Sequence, residues 1–165
     1  MSRIIATFFY TGLIRPAPGT WGSLAALVAA LPIYWLGGPW LMLAAIAAVL
    51  LAGFPAARAE ADRSGDHDPS HVVIDEVAGQ WVAIWPVLFG AAHVGAPVLD
   101  LWPGWVAAFV LFRLFDIWKP SLVGRMDRRG DVTGLMLDDV VAGIFAAIGV
   151  VVFAVLAHGV MIFGG

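Results

Sequence analysis

Residues 113–143 read RLFDIWKPSLVGRMDRRGDVTGLMLDDVVAG. Arg113 and Asp116 stand one helical turn apart inside an apolar run, and Lys119-Pro120 ends that run. A short polar stretch follows, and the adjacent acids Asp138 and Asp139 then open the next apolar run. A similar phrase stands earlier, where Ile74-Asp75-Glu76-Val77-Ala78-Gly79 also leads into apolar sequence. Charge at the edge of hydrocarbon is expensive, and ionisable groups kept there tend to mark a functional site.

Working outward, the whole chain is as apolar as this stretch suggests. Of its 165 residues 61% are hydrophobic and 13% charged, with a mean hydropathy of +0.91. Soluble domains run near about 45–50% apolar and about 25% charged, so the composition indicates a membrane protein. The fold class expected is an all-α polytopic helical bundle forming one domain over residues 1–165, since no linker divides the chain. A net charge of −3 and scattered basic residues argue against a nucleic-acid partner. The absence of cysteine removes thiol nucleophiles, disulfides and thiolate-bound metals. Only Arg3 precedes the first apolar residues and no small-residue cleavage motif follows them, so a removable signal peptide is not expected.

Five apolar segments are candidate spans, at roughly 22–37, 40–57, 77–99, 102–118 and 140–163. The first is short and carries Pro32, so a re-entrant hairpin with the second, leaving four spans, is the alternative. Residues 4–14 read equally as an interfacial helix or a span. Trp40, Trp102, Trp105 and Trp118 fall near segment ends, as an interfacial aromatic belt would place them. With five spans, residues 1–21, 58–76 and 119–139 share one side and hold eight of the nine Lys and Arg. The ninth, Arg113, lies close to the same side, and of twelve acids only Asp100 falls opposite. That asymmetry is the positive-inside pattern and predicts a site facing the cytoplasm. Small residues such as Ala25, Ala29, Gly143 and Ala147 would permit close helix contacts.

Each polar motif has a structural and a functional explanation. Pro18-Gly19-Thr20-Trp21-Gly22-Ser23 precedes an apolar helix, where Thr20 or Ser23 would serve as N-cap. The same turn can present backbone N–H groups to a phosphate, although it lacks the lysine and spacing of a Walker A loop. Residues 66–71, DHDPSH, have no zinc-ligand spacing, and His67 and His71 stay open as ligands, proton carriers or neither. The helix macrodipole accounts for an acid in a first turn. It accounts less well for two adjacent pairs, Asp75-Glu76 and Asp138-Asp139, in similar phrases, which suggests two helix entrances packed together. Asp116, near the carbonyl end of its helix, opposes the dipole, and pairing with Arg113 or Lys119 would return only about 0.2–0.5 kcal/mol. A functional role fits it better.

Asp75, Glu76, Asp116, Asp138 and Asp139 on three helix ends suit a hard divalent cation such as Mg²⁺. Arg113, Lys119 and Arg125 could hold phosphate oxygens, arginine as a fork and lysine as a point charge.

The combination FRLFDIWKP (112–120) followed by GLMLDDVVAG (134–143) resembles the phosphatidylglycerophosphatase A family. The resemblance extends over Pro18–Ser23, Asp68 to Gln80 and Asp127 to Gly143. Ser121-Leu122-Val123 stands where some members have Trp-Pro-Ile, and residues 130–134 stand where some have His-Gly-Gly. The resemblance implies an Mg²⁺-dependent lipid phosphatase of the bacterial inner membrane that converts phosphatidylglycerophosphate to phosphatidylglycerol. It implies metal ligands and a base among Asp75, Glu76, Asp116, Asp138 and Asp139, with Asp68 as an outer member. Thr20 and Ser23 would join Arg113, Lys119 and Arg125 around the phosphate. A metal-dependent head-group transferase and a small cation transporter are the competing classes. The transporter would place its acids nearer mid-bilayer.

Overall fold

The computed structural model describes residues 1–66 and 68–163. Six α-helices carry it: α1 (Ser2–Ala6), α2 (Pro18–Ser64), α3 (Ile74–Val94), α4 (Trp102–Trp118), α5 (Ser121–Asp127) and α6 (Val132–Phe163). Short 3₁₀ turns occupy Thr11–Leu13 and Val98–Leu101. Four helical segments among the described residues are long and apolar enough to cross a membrane, namely α2, α3, Val98–Trp118 and α6 as far as Ala157.

The helix α2 is interrupted past Pro32, at Gly37 and Gly38. Forty-seven residues in one straight helix would run about 70 Å, more than twice the hydrocarbon thickness of about 30 Å. Gly37 and Gly38 depart from helical geometry, Gly38 at φ 63°, ψ −160°, a region open essentially to glycine. Pro39 then starts a second arm at the position where a missing N–H does no harm. Both arms run along α3. Gly22 of the first arm packs on Val73, and Gly53 of the second packs on Ile74. The break lies farther along α3, where Trp85 donates to the Pro39 carbonyl and Trp40 meets Phe89 edge-on. The first two apolar segments therefore form a helical hairpin.

The boundaries differ from the sequence reading in three places. Residues 4–14 do not form one continuous helix; α1 is five residues long, and Phe8, Phe9 and Tyr10 then take left-handed backbone that turns the chain. The last helix starts at Val132, eight residues before the expected 140. Asp131 starts it, accepting from the Gly134 N–H through its side chain (2.7 Å) and from the Leu135 N–H through its carbonyl (3.0 Å). Asp138 and Asp139 consequently lie inside α6 rather than at its entrance. The first turn of α2 is also earlier than expected: Ala17, not Thr20 or Ser23, occupies the N-cap position, with no side-chain cap.

The core is built from α3, whose Val77, Ala78, Trp81, Ile84 and Leu88 are almost wholly enclosed by α2, α4 and α6. The outer faces remain apolar, with Trp40, Trp102 and Trp118 each at least 65% exposed, as expected of helices meeting lipid. The basic connections gather at one end. Ser2 donates to Glu60 (3.2 Å), the Val73 N–H to the Ala6 carbonyl (2.8 Å), and Arg15 to Ser70 (3.1 Å). Glu60 also pairs with Arg63 and lies 3.6 Å from His71, so one buried carboxylate ties α1, α2 and the segment before α3. His71 sits with Glu60 rather than with the other acids, and His67 lies outside the described residues.

Candidate active site

Three helices bring the sequence-predicted acids to a single cavity of about 260 Å³ at the basic end of the bundle. Asp75 and Glu76 come from the first turn of α3, Asp116 from the last turn of α4, and Asp138 and Asp139 from α6. Asp68 reaches the cavity from the segment before α3. Arg113 and Lys119 are the cations in its wall, and Gly19 of α2 closes one side. Arg125 is exposed on α5 and does not line this cavity. Nor do Thr20 and Ser23; Ser23 is buried and its hydroxyl donates back to the Gly19 carbonyl (2.8 Å).

Inside the cavity the acids divide into two groups. Asp75, Glu76 and Asp139 each offer a carboxylate oxygen, and these oxygens lie within 4.8 Å of one another. Asp75 Oδ1 and Glu76 Oε2 are buried without a hydrogen-bond partner. Asp138 differs, because both of its oxygens are engaged. Its Oδ1 accepts the Asp139 N–H (2.9 Å) and its Oδ2 accepts from Lys119 Nζ (3.0 Å). Lys119 also donates to Asp127, a partner that sequence reading passed over because it stands in a mixed charge run. Arg113 Nη1 lies 2.5 Å from Asp116 Oδ2, and both side chains are largely buried.

The backbone at Lys119 is itself informative. It is the C-cap of α4 and adopts left-handed φ 50°, ψ 53°, a conformation that costs a non-glycine residue about 1 kcal/mol or more. A glycine there would stop the helix more cheaply. Lysine supplies a cation to the cavity instead. Burial works against its charge, but the hydrogen bonds to Asp127 and Asp138 outweigh that and hold its pKa above the ordinary lysine value.

Gly19 is the site residue that sequence reading underrated. A Cβ at this position would overlap Glu76 Oε1 and lie 3.2 Å from Arg113 Nη1. The first turn of α2 therefore presses directly on an acid and a cation of the cavity. Its signal was the Pro-Gly start of the motif, read both as a capped turn and as backbone open to a phosphate, while Thr20 and Ser23 rather than Gly19 were named as the site residues.

The donor set fits a hard divalent cation. Six acids face two cations in this cavity, and a phosphate would bring further negative charge. Buried carboxylate oxygens without partners and carboxylates held this close are relieved by a proton or by a cation bound among them. All the candidate ligand atoms are oxygens, the preference of Mg²⁺ and not of softer metals.

Comparison with known proteins supplies the family. A family model described as phosphatidylglycerophosphatase A matches residues 4–154. The chain belongs to the phosphatidylglycerophosphatase A family. It is 37% identical to phosphatidylglycerophosphatase A of Haemophilus influenzae, covering 93% of this chain and 87% of that protein. It is 35% identical to phosphatidylglycerophosphatase A of Escherichia coli, covering 88% and 78%. A Bacteroides thetaiotaomicron protein named "Putative phosphatidylinositol-3-phosphatase" is 36% identical, covering 88% of each. No solved structure matches. This member of the family is a phosphatase, a phosphoric monoester hydrolase.

Proposed function

We propose that the protein removes the terminal phosphate of phosphatidylglycerophosphate, giving phosphatidylglycerol and inorganic phosphate, in an Mg²⁺-dependent reaction at the cytoplasmic leaflet of a bacterial inner membrane. The observation that carries the reading is the close trio of Asp75 and Asp139, both buried, and half-buried Glu76, beside Arg113 and Lys119 in a cavity at the basic end of a membrane bundle. The basic residues cluster at that end, which supports its facing the cytoplasm.

Asp75, Glu76 and Asp139 would hold the cation, with Asp116 close by and Asp68 at the margin. Bound there, Mg²⁺ supplies positive charge against the phosphate and makes water a better nucleophile at neutral pH. Arg113 offers a fork to two phosphate oxygens, and Lys119, braced by Asp138 and Asp127, offers a fixed point charge. In hydrolysis a water oxygen bonds to phosphorus as the bond from phosphorus to the glycerol oxygen breaks. A carboxylate of the cluster takes the water's proton and passes a proton on to the departing glycerol oxygen, so that the carboxylate returns to its starting state. A carboxylate attacking phosphorus directly is the competing route, and trapping an acyl phosphate would distinguish it.

Purified protein incubated with phosphatidylglycerophosphate, with and without Mg²⁺, tests the proposal. Phosphate should appear only with the metal. Exchange of an added alcohol into the lipid would indicate a head-group transferase, and no reaction would remove the reading. The name of the Bacteroides relative makes phosphatidylinositol 3-phosphate the informative second substrate, expected to be hydrolysed less efficiently.

A further inference from the structure

Arg125 leaves the cavity reading without a role, and its surroundings supply another. On α5, Val123 is fully buried against the rest of the bundle. Leu122 and Arg125 of α5 and Arg128, the residue that caps its end, are all exposed. The neighbouring end of α4 presents Ile117 and Trp118, 71% and 70% exposed, while Leu122 is 46% exposed. An apolar edge thus meets a basic one where α4 leaves the apolar zone.

The charges at this corner are unequal in their commitments. Lys119 is held by Asp127 and Asp138, and Arg129 by Asp131. Arg125 and Arg128 have no acidic partner among the described residues. Two free guanidinium groups beside an exposed Trp, Ile and Leu match an interface in which side chains enter the acyl boundary below a layer of anionic head groups.

We propose that the corner between α4 and α5, through Arg125 and Arg128 together with Ile117, Trp118 and Leu122, is a docking surface for anionic phospholipids of the surrounding leaflet. It lies outside the catalytic cavity and concentrates negatively charged lipid at its rim. The surface depends on the membrane placement of the helices and not on the chemistry of the cavity. Its test can therefore be read without any activity.

The full chain is reconstituted in phosphatidylcholine vesicles containing trace spin-labelled phosphatidylserine or phosphatidylcholine, and the motionally restricted fraction of each probe is measured. The wild type should favour phosphatidylserine by about threefold to fivefold. That preference should collapse in about 1 M salt, where the screening length is about 3 Å. The Arg125→Gln/Arg128→Gln variant should lose most of the preference while remaining folded by circular dichroism. Equal restriction of both probes by the wild type, or an undiminished preference in the variant, overturns the proposal. So does a single Arg125→Gln change that abolishes phosphate release with lipid preference intact, since Arg125 would then serve the substrate phosphate.

Discussion

Gly79 of α3 and Gly143 of α6 meet backbone to backbone. A Cβ on Gly143 would overlap the Gly79 carbonyl oxygen, and a Cβ on Gly79 would stand 2.5 Å from the Asp139 carbonyl oxygen and 2.5 Å from the Phe112 ring. Counting back one turn from each glycine reaches Asp75 and Asp139. The closeness of the two helices is therefore what brings acids from distant parts of the chain to a common centre.

That contact predicts the effect of one methyl group. Gly143→Ala has only backbone to push against, so α3 and α6 must separate. Overpacking of this kind costs about 1–3 kcal/mol. The variant should show a lower melting temperature in detergent and at least about a tenfold loss of phosphate release. Wild-type values for both would mean that the crossing does not set the site. Gly79→Ala should behave alike.

The adjacent acids of α6 should separate in their kinetics. Asp139 shares the carboxylate trio, whereas both Asp138 oxygens are already occupied by Lys119 and the Asp139 N–H. Asp139→Asn should raise the Mg²⁺ concentration needed for half-maximal activity by at least about tenfold. Asp138→Asn should leave that requirement close to wild type and raise KM for the lipid, because it loosens Lys119. Mg²⁺ titrations of the two variants decide the matter, and identical shifts would abolish the distinction.

How legible this was in the sequence depends on the kind of interaction. The acids and cations of the cavity stood out because charge beside hydrocarbon is costly, and Asp75, Glu76, Arg113, Asp116, Lys119, Asp138 and Asp139 all line it. The helical bundle followed from composition. Gly143 could be recognised as a residue suited to close contact, but its partner Gly79 could not, since a glycine carries no side-chain chemistry to match. Arg125 looked equivalent to Lys119 in a mixed charge run; the left-handed turn at Lys119 sends the chain into α5 and leaves Arg125 exposed on it. The first turns of α2 and α6 were displaced because Ala17 and Asp131 start them, and neither start has a distinctive spacing.

Lys119 offers a separation of stability from activity. Lys119→Gly relieves left-handed strain of about 1 kcal/mol while removing a cation from the cavity. It also releases Asp127 and Asp138, so the melting temperature should change little while phosphate release falls at least about tenfold. The pH dependence has a definite sign. A lysine whose pKa is raised in the folded state contributes stability fully below the unfolded value of about 10.4, and that contribution fades only as pH rises through the higher folded value. No limb of the activity profile between about pH 6 and 9 should therefore disappear in Lys119→Arg, and one that does would assign that titration to Lys119.

Gly19 reverses the usual expectation for a glycine near a helix start. In a helix, alanine is favoured over glycine by about 0.5–1 kcal/mol, and the atoms a new Cβ would strike are the movable ends of Glu76 and Arg113 rather than backbone. Those ends can shift, so Gly19→Ala should fold at least as stably as the wild type. The shift displaces a carboxylate of the trio and the guanidinium expected to grip the phosphate, and a misplacement near 1 Å can cost about 100-fold in rate. A stable but severely impaired enzyme is the expected result, measured as melting temperature alongside kcat/KM. An alanine variant with full activity would show that the α2 turn only borders the cavity, and one that unfolds would show that the contact is chiefly structural.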